Sequence, residues 1–182
     1  MKNTLLAFCL SACLFASGQV TDQKKDFNDR KHEVKVDGIK LIAGTILEGT
    51  YEYVRNKNSG YGVSVLVNLD SENDYLEDFS ITPFYRGYFF NKQDYGAKGF
   101  FVEGFGKYVS GDVEFFSGDD EVLFGGDREN FNDFSLGMSV GQKWVNSNGL
   151  VVELLVGVSR TLGGDSGNEG YFRGGVFVGY RF

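Results

Sequence analysis

Cysteine is nearly missing from this chain. Its 182 residues hold two, Cys9 and Cys13, and both fall within the first eighteen. Residues 19–182 therefore have no disulfide to lean on, and whatever fold they take holds without staples. A single histidine, His32, argues against a His-based metal centre and leaves few nucleophile and base pairings. Lys and Arg number 18 against 25 Asp and Glu, a net charge of -7, which disfavours a partner such as nucleic acid that must be neutralised along its phosphates. No stretch approaches the ~20 apolar residues of a membrane-crossing helix. Proline occurs once, whereas glycine occurs 26 times, Phe 18 and Tyr 10. Such a composition is rich in strands and turns, and the length fits one domain.

The first eighteen residues differ from the rest. Lys2 precedes an apolar run from Thr4 to Phe15, and small residues Ala16 and Gly18 follow, the pattern of a secretion signal cut after Gly18 to leave Gln19 first. Leu10-Ser11-Ala12-Cys13 also has the form of a lipoprotein signal with Cys13 as the lipidated residue. Residues 19–32, QVTDQKKDFNDRKH, are polar and aperiodic and read as a flexible tail. Residues 33–182 form the folded domain.

There, apolar residues recur with period two, and helix is nearly absent. Turn signals divide the domain into eight strands: Glu33 to Ala43, Glu48 to Arg55, Tyr61 to Asp70, Phe79 to Phe90, Gly99 to Val109, Asn132 to Val145, Leu150 to Leu162 and Gly170 to Phe182. A first hairpin is expected around Gly44 to Leu47. In the last strand Phe172, Val176, Val178, Tyr180 and Phe182 share one face, opposite Tyr171, Arg173, Gly175, Phe177, Gly179 and Arg181. The seventh sets Val152, Leu154, Val156 and Val158 opposite Glu153, Leu155, Gly157, Ser159 and Thr161.

Alternation alone suits either a soluble barrel with an apolar inside or a membrane barrel with an apolar outside. Three features favour the second, an all-β, eight-stranded antiparallel up-and-down transmembrane barrel. First, the polar faces are Gly- and Ser-rich with few charges: Glu52, Arg86, Glu103, Lys107, Lys143, Glu153, Arg173 and Arg181. A water-facing surface carries far more Lys and Glu, whereas sparse ions suit a cramped interior where they pair. Second, the apolar faces end in aromatics, among them Tyr51, Tyr53, Tyr61, Tyr85, Phe89, Phe100, Tyr108, Phe134 and Trp144, as in interfacial girdles. Third, connection lengths alternate, with short or moderate turns at 55–60, 91–98 and 146–149 and a long loop from Ser110 to Phe131.

The segments PFYRGYFF (83–90), GFFVEGFGKY (99–108), FSLGMSVGQKW (134–144) and the closing GGVFVGYRF (174–182) resemble small outer-membrane β-barrel proteins of the OmpA-transmembrane-domain type, porin-like barrels of Gram-negative bacteria, most closely the uncharacterised barrels of Bacteroidota. The resemblance spans residues 33–182. It implies a monomer in the outer membrane, in contact with its lipid and with lipopolysaccharide, both termini in the periplasm. It also implies that Tyr180 and Phe182 present the signal read by the barrel-assembly machinery, although the family pattern favours Gly where Phe177 stands.

The chemistry of the chain adds little to that. His32 has no Ser or Asp partner at an outer rim, so the expectation is a non-enzymatic protein without a cofactor. The acidic loops offer oxygen ligands for Ca²⁺ or Mg²⁺, with Asp119, Asp120 and Glu121 as weak candidates, but hold no EF-hand run; Asp70, Glu72, Asp74, Glu77 and Asp78 read as solvated loop charges. The expected role is structural or surface-interacting. A small-solute pore is the alternative, and a soluble lipocalin-like binding barrel a further one.

Overall fold

The structure, a computed structural model, describes residues 30–70, 75–89, 97–114 and 128–182. The signal segment, most of the tail and the candidates Asp119, Asp120 and Glu121 lie outside them. Eight antiparallel strands, each paired with its sequence neighbours, close into a barrel through β1 and β8. They are β1 His32–Asp37, β2 Ile46–Asn56, β3 Ser59–Asn68, β4 Phe79–Phe89, β5 Gly99–Glu114, β6 Arg128–Val145, β7 Leu150–Gly164 and β8 Gly170–Arg181. Closure leaves no exposed sheet edge where β1 runs: Glu33 pairs with Arg181 and Asp37 with Phe177.

Two expectations fail at the end of the barrel far from the termini. The first strand does not run to Ala43: after six residues it gives way to a short helix, α1 Gly38–Gly44, and no tight hairpin forms at 44–47. The local cause is Asp37, whose Oδ1 accepts the backbone N–H groups of Ile39 and Lys40 at 3.0 and 3.3 Å and so caps the helix. At the other end of α1, Thr45 stands in the left-handed region at φ 55° and its N–H returns to Lys40 O. The second failure is the long loop. Strands β5 and β6 continue past the expected ends, pairing Gly111 with Phe131 and Glu114 with Arg128, which moves Phe131 into the interior at 2% exposure.

The faces follow the pleat. Outward stand Leu136, Met138, Val140, Leu154, Val156, Val158 and Phe172, Met138 at 65% and Val158 at 68% exposed. Of the aromatics expected at the rims, Tyr51, Tyr61, Tyr85, Phe89, Phe100, Tyr108, Phe134, Trp144, Tyr180 and Phe182 are exposed, and Tyr53 is half-buried. Inward stand the charged and small residues, together with a few large apolar ones. Near the termini, Val54, Tyr88, Ala97, Phe101, Leu155 and Phe177 form one packed cluster. Phe177, where a glycine was expected, is 1% exposed within it.

Candidate functional site

The interior is where polar chemistry is concentrated. Among the described residues, eight acids and six bases are buried, namely Glu33, Asp37, Glu48, Glu52, Glu77, Glu103, Asp133 and Glu153 with Lys35, Arg86, Lys107, Lys143, Arg173 and Arg181. Uncompensated burial of any one would cost several kcal/mol, so the geometry of pairing decides whether the barrel is stable.

A central network ties six strands together. Arg86 on β4 reaches Glu103 on β5 through Nε at 2.5 Å, and Glu52 on β2 and Glu153 on β7 through Nη1 at 2.8 Å each. Lys35 on β1 stands 2.8 Å from Glu52 and 2.7 Å from Glu153, and Lys143 on β6 stands 2.8 Å from Glu33 and 2.7 Å from Glu52. Lys143 also donates to the Tyr88 hydroxyl at 2.5 Å, which in turn donates to Glu52. Arg173 extends the network outward, from Glu103 at 2.9 Å to Glu48 at 3.1 Å and Ser64 at 3.0 Å. The guanidinium of Arg86 lies over the rings of Phe84 and Phe101, at 4.3 and 4.5 Å from their centroids.

The end of the barrel beside the termini is stoppered. Arg181 pairs with Glu33, 2.6 Å from Nε to Oε1, and its Nη2 donates to the carbonyl of Ala97 at 2.8 Å. Ala97, fully buried with φ 52°, is also held by its N–H on Lys57 O. Beside this stopper His32 joins the rim: its Nδ1 is 2.7 Å from the Tyr51 hydroxyl and its ring stacks on Phe182 at 5.9 Å.

At the opposite end a looser cluster gathers. Lys107 Nζ is 2.5 Å from Glu77 Oε1, Lys40 contacts Glu48 and stands 3.5 Å from Asp37 Oδ2, and Tyr171 donates to Asp133 at 2.5 Å. Glu77, expected as a solvated loop charge, is instead 4% exposed. Tyr75, in the connection before β4, has its phenol held neutral well above its ordinary range by burial and by the carboxylates of Glu77, Glu48 and Asp37.

All eight charged residues singled out from the sequence face this interior. Seven of them belong to the central network or the stopper, and Lys107 belongs to the outer cluster. Sequence reasoning missed Glu33, Lys35, Asp37, Glu48, Glu77 and Asp133. The first four carried a signal, since Glu33, Lys35 and Asp37, like Glu48, Thr50 and Glu52, recur at period two. Among the described residues no group of three or more His, Cys, Asp or Glu is arranged to hold a metal ion. Compared with known proteins, the chain matches no family model, no curated protein and no solved structure.

Proposed function

We propose that this chain is a monomeric, non-enzymatic outer-membrane barrel that anchors its acidic loops at the cell surface. The observation that carries the reading is the inverted distribution of polarity: charge is buried inside, while aliphatic and aromatic side chains are exposed around the outside. Soluble monomers rarely expose contiguous apolar surface beyond a few hundred Å², and a lipid-facing barrel requires it. The lipocalin-like reading is disfavoured on the same ground, because its binding cavity needs the apolar face inside.

The pore reading is disfavoured by the interior itself. An eight-stranded barrel leaves room only for its own side chains, and here those side chains are cross-linked by ion pairs and closed by Arg181 on Ala97. Tyr180 and Phe182, at the end of the last strand, support the reading that an assembly machinery in the outer membrane recognises the chain, with lipid and lipopolysaccharide as its proposed surroundings. The test is electrophoretic mobility with and without heating after extraction from the membrane fraction. A band that needs detergent for extraction and shifts on heating is expected; a protein recovered in the soluble fraction with unshifted mobility contradicts the proposal. In planar bilayers the same sample is expected to give no steady conductance.

A further inference from the structure

The single proline of the chain, Pro83, stands in the middle of β4, and the wall shows it on one side only. Between β4 and β5 the register runs from Phe79 with Ser110 to Phe89 with Phe100, but the pairs Thr82 with Lys107 and Pro83 with Gly106 are missing from it. Towards β3 the same stretch is fully paired, Pro83 with Val63 and Thr82 with Ser64. In an antiparallel ladder the N–H and C=O of one residue point to the same neighbour, and proline has no N–H. A gap on the β5 side alone therefore means that the lost donor is the one Gly106 O would have accepted. No side chain among the described residues donates to that carbonyl. Lys107, the next residue, turns its ammonium to Glu77. In a wall facing hydrocarbon such an unmet acceptor is costly.

The outer face opens over the same break. Gly104 and Gly106 stand outward on β5, and with Pro83, Tyr85 and Leu136 they line an apolar groove of about 490 Å³, within the range of small-ligand clefts. No side chain of the wall fills it: a Cβ at 104 would meet nothing within 4 Å, and one at 106 would first meet Leu136 Cδ2 at 3.5 Å. From the lumen the way is shut, because Phe84 and Phe105, paired across the two strands, are buried behind it. A donor for Gly106 O therefore comes from the lipid side.

We propose that this groove binds an alkyl chain bearing a hydroxyl group, drawn from the surrounding bilayer, with the hydroxyl donating to Gly106 O and the chain lying over Gly104. The proposal rests on the membrane-barrel reading. A carboxylate or phosphate brings only acceptors to a carbonyl, and an ammonium brings a charge that no carboxylate in the lining balances. One neutral acceptor in an apolar groove is matched by one neutral donor on an apolar chain.

Gly106 and Lys107 form the only Gly-Lys step in the sequence, so protein labelled with carbonyl-¹³C glycine and ¹⁵N lysine gives one carbonyl–amide cross-peak, that of the Gly106 carbonyl. Full-length protein in phosphatidylcholine bicelles, whose lipid has no hydroxyl, is titrated with 1-dodecanol. A saturable downfield shift of this carbonyl is expected. Dodecyl methyl ether, which cannot donate, is expected to leave it unmoved and to displace the alcohol only at about fivefold higher concentration, the scale of one neutral hydrogen bond. In Pro83→Val an N–H returns to the ladder, so the carbonyl is expected to start at the bonded position and not to respond. Gly104→Leu, which fills the groove and leaves the proline in place, is expected to abolish the response with the carbonyl still unbonded. Equal competition by the ether, or a wild-type response in Gly104→Leu, overturns the site. So does a wild-type carbonyl already at the bonded position and unmoved by the alcohol, whether water or a second copy supplies the donor. Each sample is also run unheated and heated: an inserted wild-type barrel whose carbonyl does not respond contradicts the site alone, and a wild type that forms no heat-shifting band contradicts the membrane reading beneath it.

Discussion

Three phenylalanines inside the barrel lie across glycines that are their own register partners: Phe84 on Gly62, Phe105 on Gly137 and Phe101 on Gly141. A Cβ at 141 would stand 2.3 Å from Phe101 Cζ and 2.4 Å from Leu154 O, so the absence of a side chain makes room for both the ring and the neighbouring strand. Gly141→Val is therefore expected to cost about 1–3 kcal/mol, read as a lowered urea midpoint for the folded band. Adding Phe101→Ala should not restore the wild type, because the carbonyl remains. The ion network sets a second expectation at this scale. Arg86→Met leaves Glu52, Glu103 and Glu153 facing one another with Lys35, Lys143 and Arg173 as their remaining cations, and about 3–5 kcal/mol of destabilisation is expected. A midpoint equal to the wild type contradicts the network's part in holding the strands. Tyr75 gives a pH signature. Its phenol is raised in the folded protein, so the stability it contributes is full below the ordinary tyrosine value of about 10 and is lost as pH rises above it. Absorbance titration should show one fewer tyrosine ionising near pH 10 in Tyr75→Phe only after unfolding.

At the scale of elements, the strands were legible because a pleated sheet between an apolar and a polar environment writes a period of two into the chain. β7 and β8 match expectation to within two residues for that reason. Helix α1 was not legible, since GIKLIAG is too short to show a period of 3.6 and its apolar residues continue the look of a strand. What decides it is the local cap, Asp37 Oδ1 accepting the N–H groups of Ile39 and Lys40, together with a tertiary condition that the chain does not display, the absence of a side chain at Gly175 where the Asp37 carboxylate lies. The interior site was half legible. Residues on long alternating strands show their side by parity, whereas Glu77 looks like a solvated charge because nothing in an acidic loop sequence says that Lys107 waits across the lumen. The last strand carries its own expectation. Phe182 stacks on His32 and extends the β1–β8 closure by one more pair, its N–H on His32 O at 2.8 Å. Removing Phe182, or replacing it with Ser, is expected to lower the yield of heat-shifting barrel while leaving export of the chain intact; undiminished yield contradicts its reading as an assembly signal.

At the scale of the whole molecule, the connections sort by side. The turns at 57–58 and 146–149 and the described residue Ala97 lie at the end with the termini, and α1 lies at the other, where β3, β5 and β7 also end. The proposed function puts the termini in the periplasm, and on that proposal an epitope inserted near Asp119 should be reached by antibody on intact cells and one after Gln19 should not. The central claim is that the apolar face of the barrel meets lipid and the charged face is enclosed. Single cysteines at 151–158 along β7, labelled in outer-membrane vesicles with a lipid-soluble maleimide and separately with a charged, impermeant one, test it most directly. Positions 152, 154, 156 and 158 are expected to react with the lipid-soluble reagent alone, and 151, 153, 155 and 157 with neither. Labelling of 152, 154, 156 and 158 by the charged reagent would contradict it.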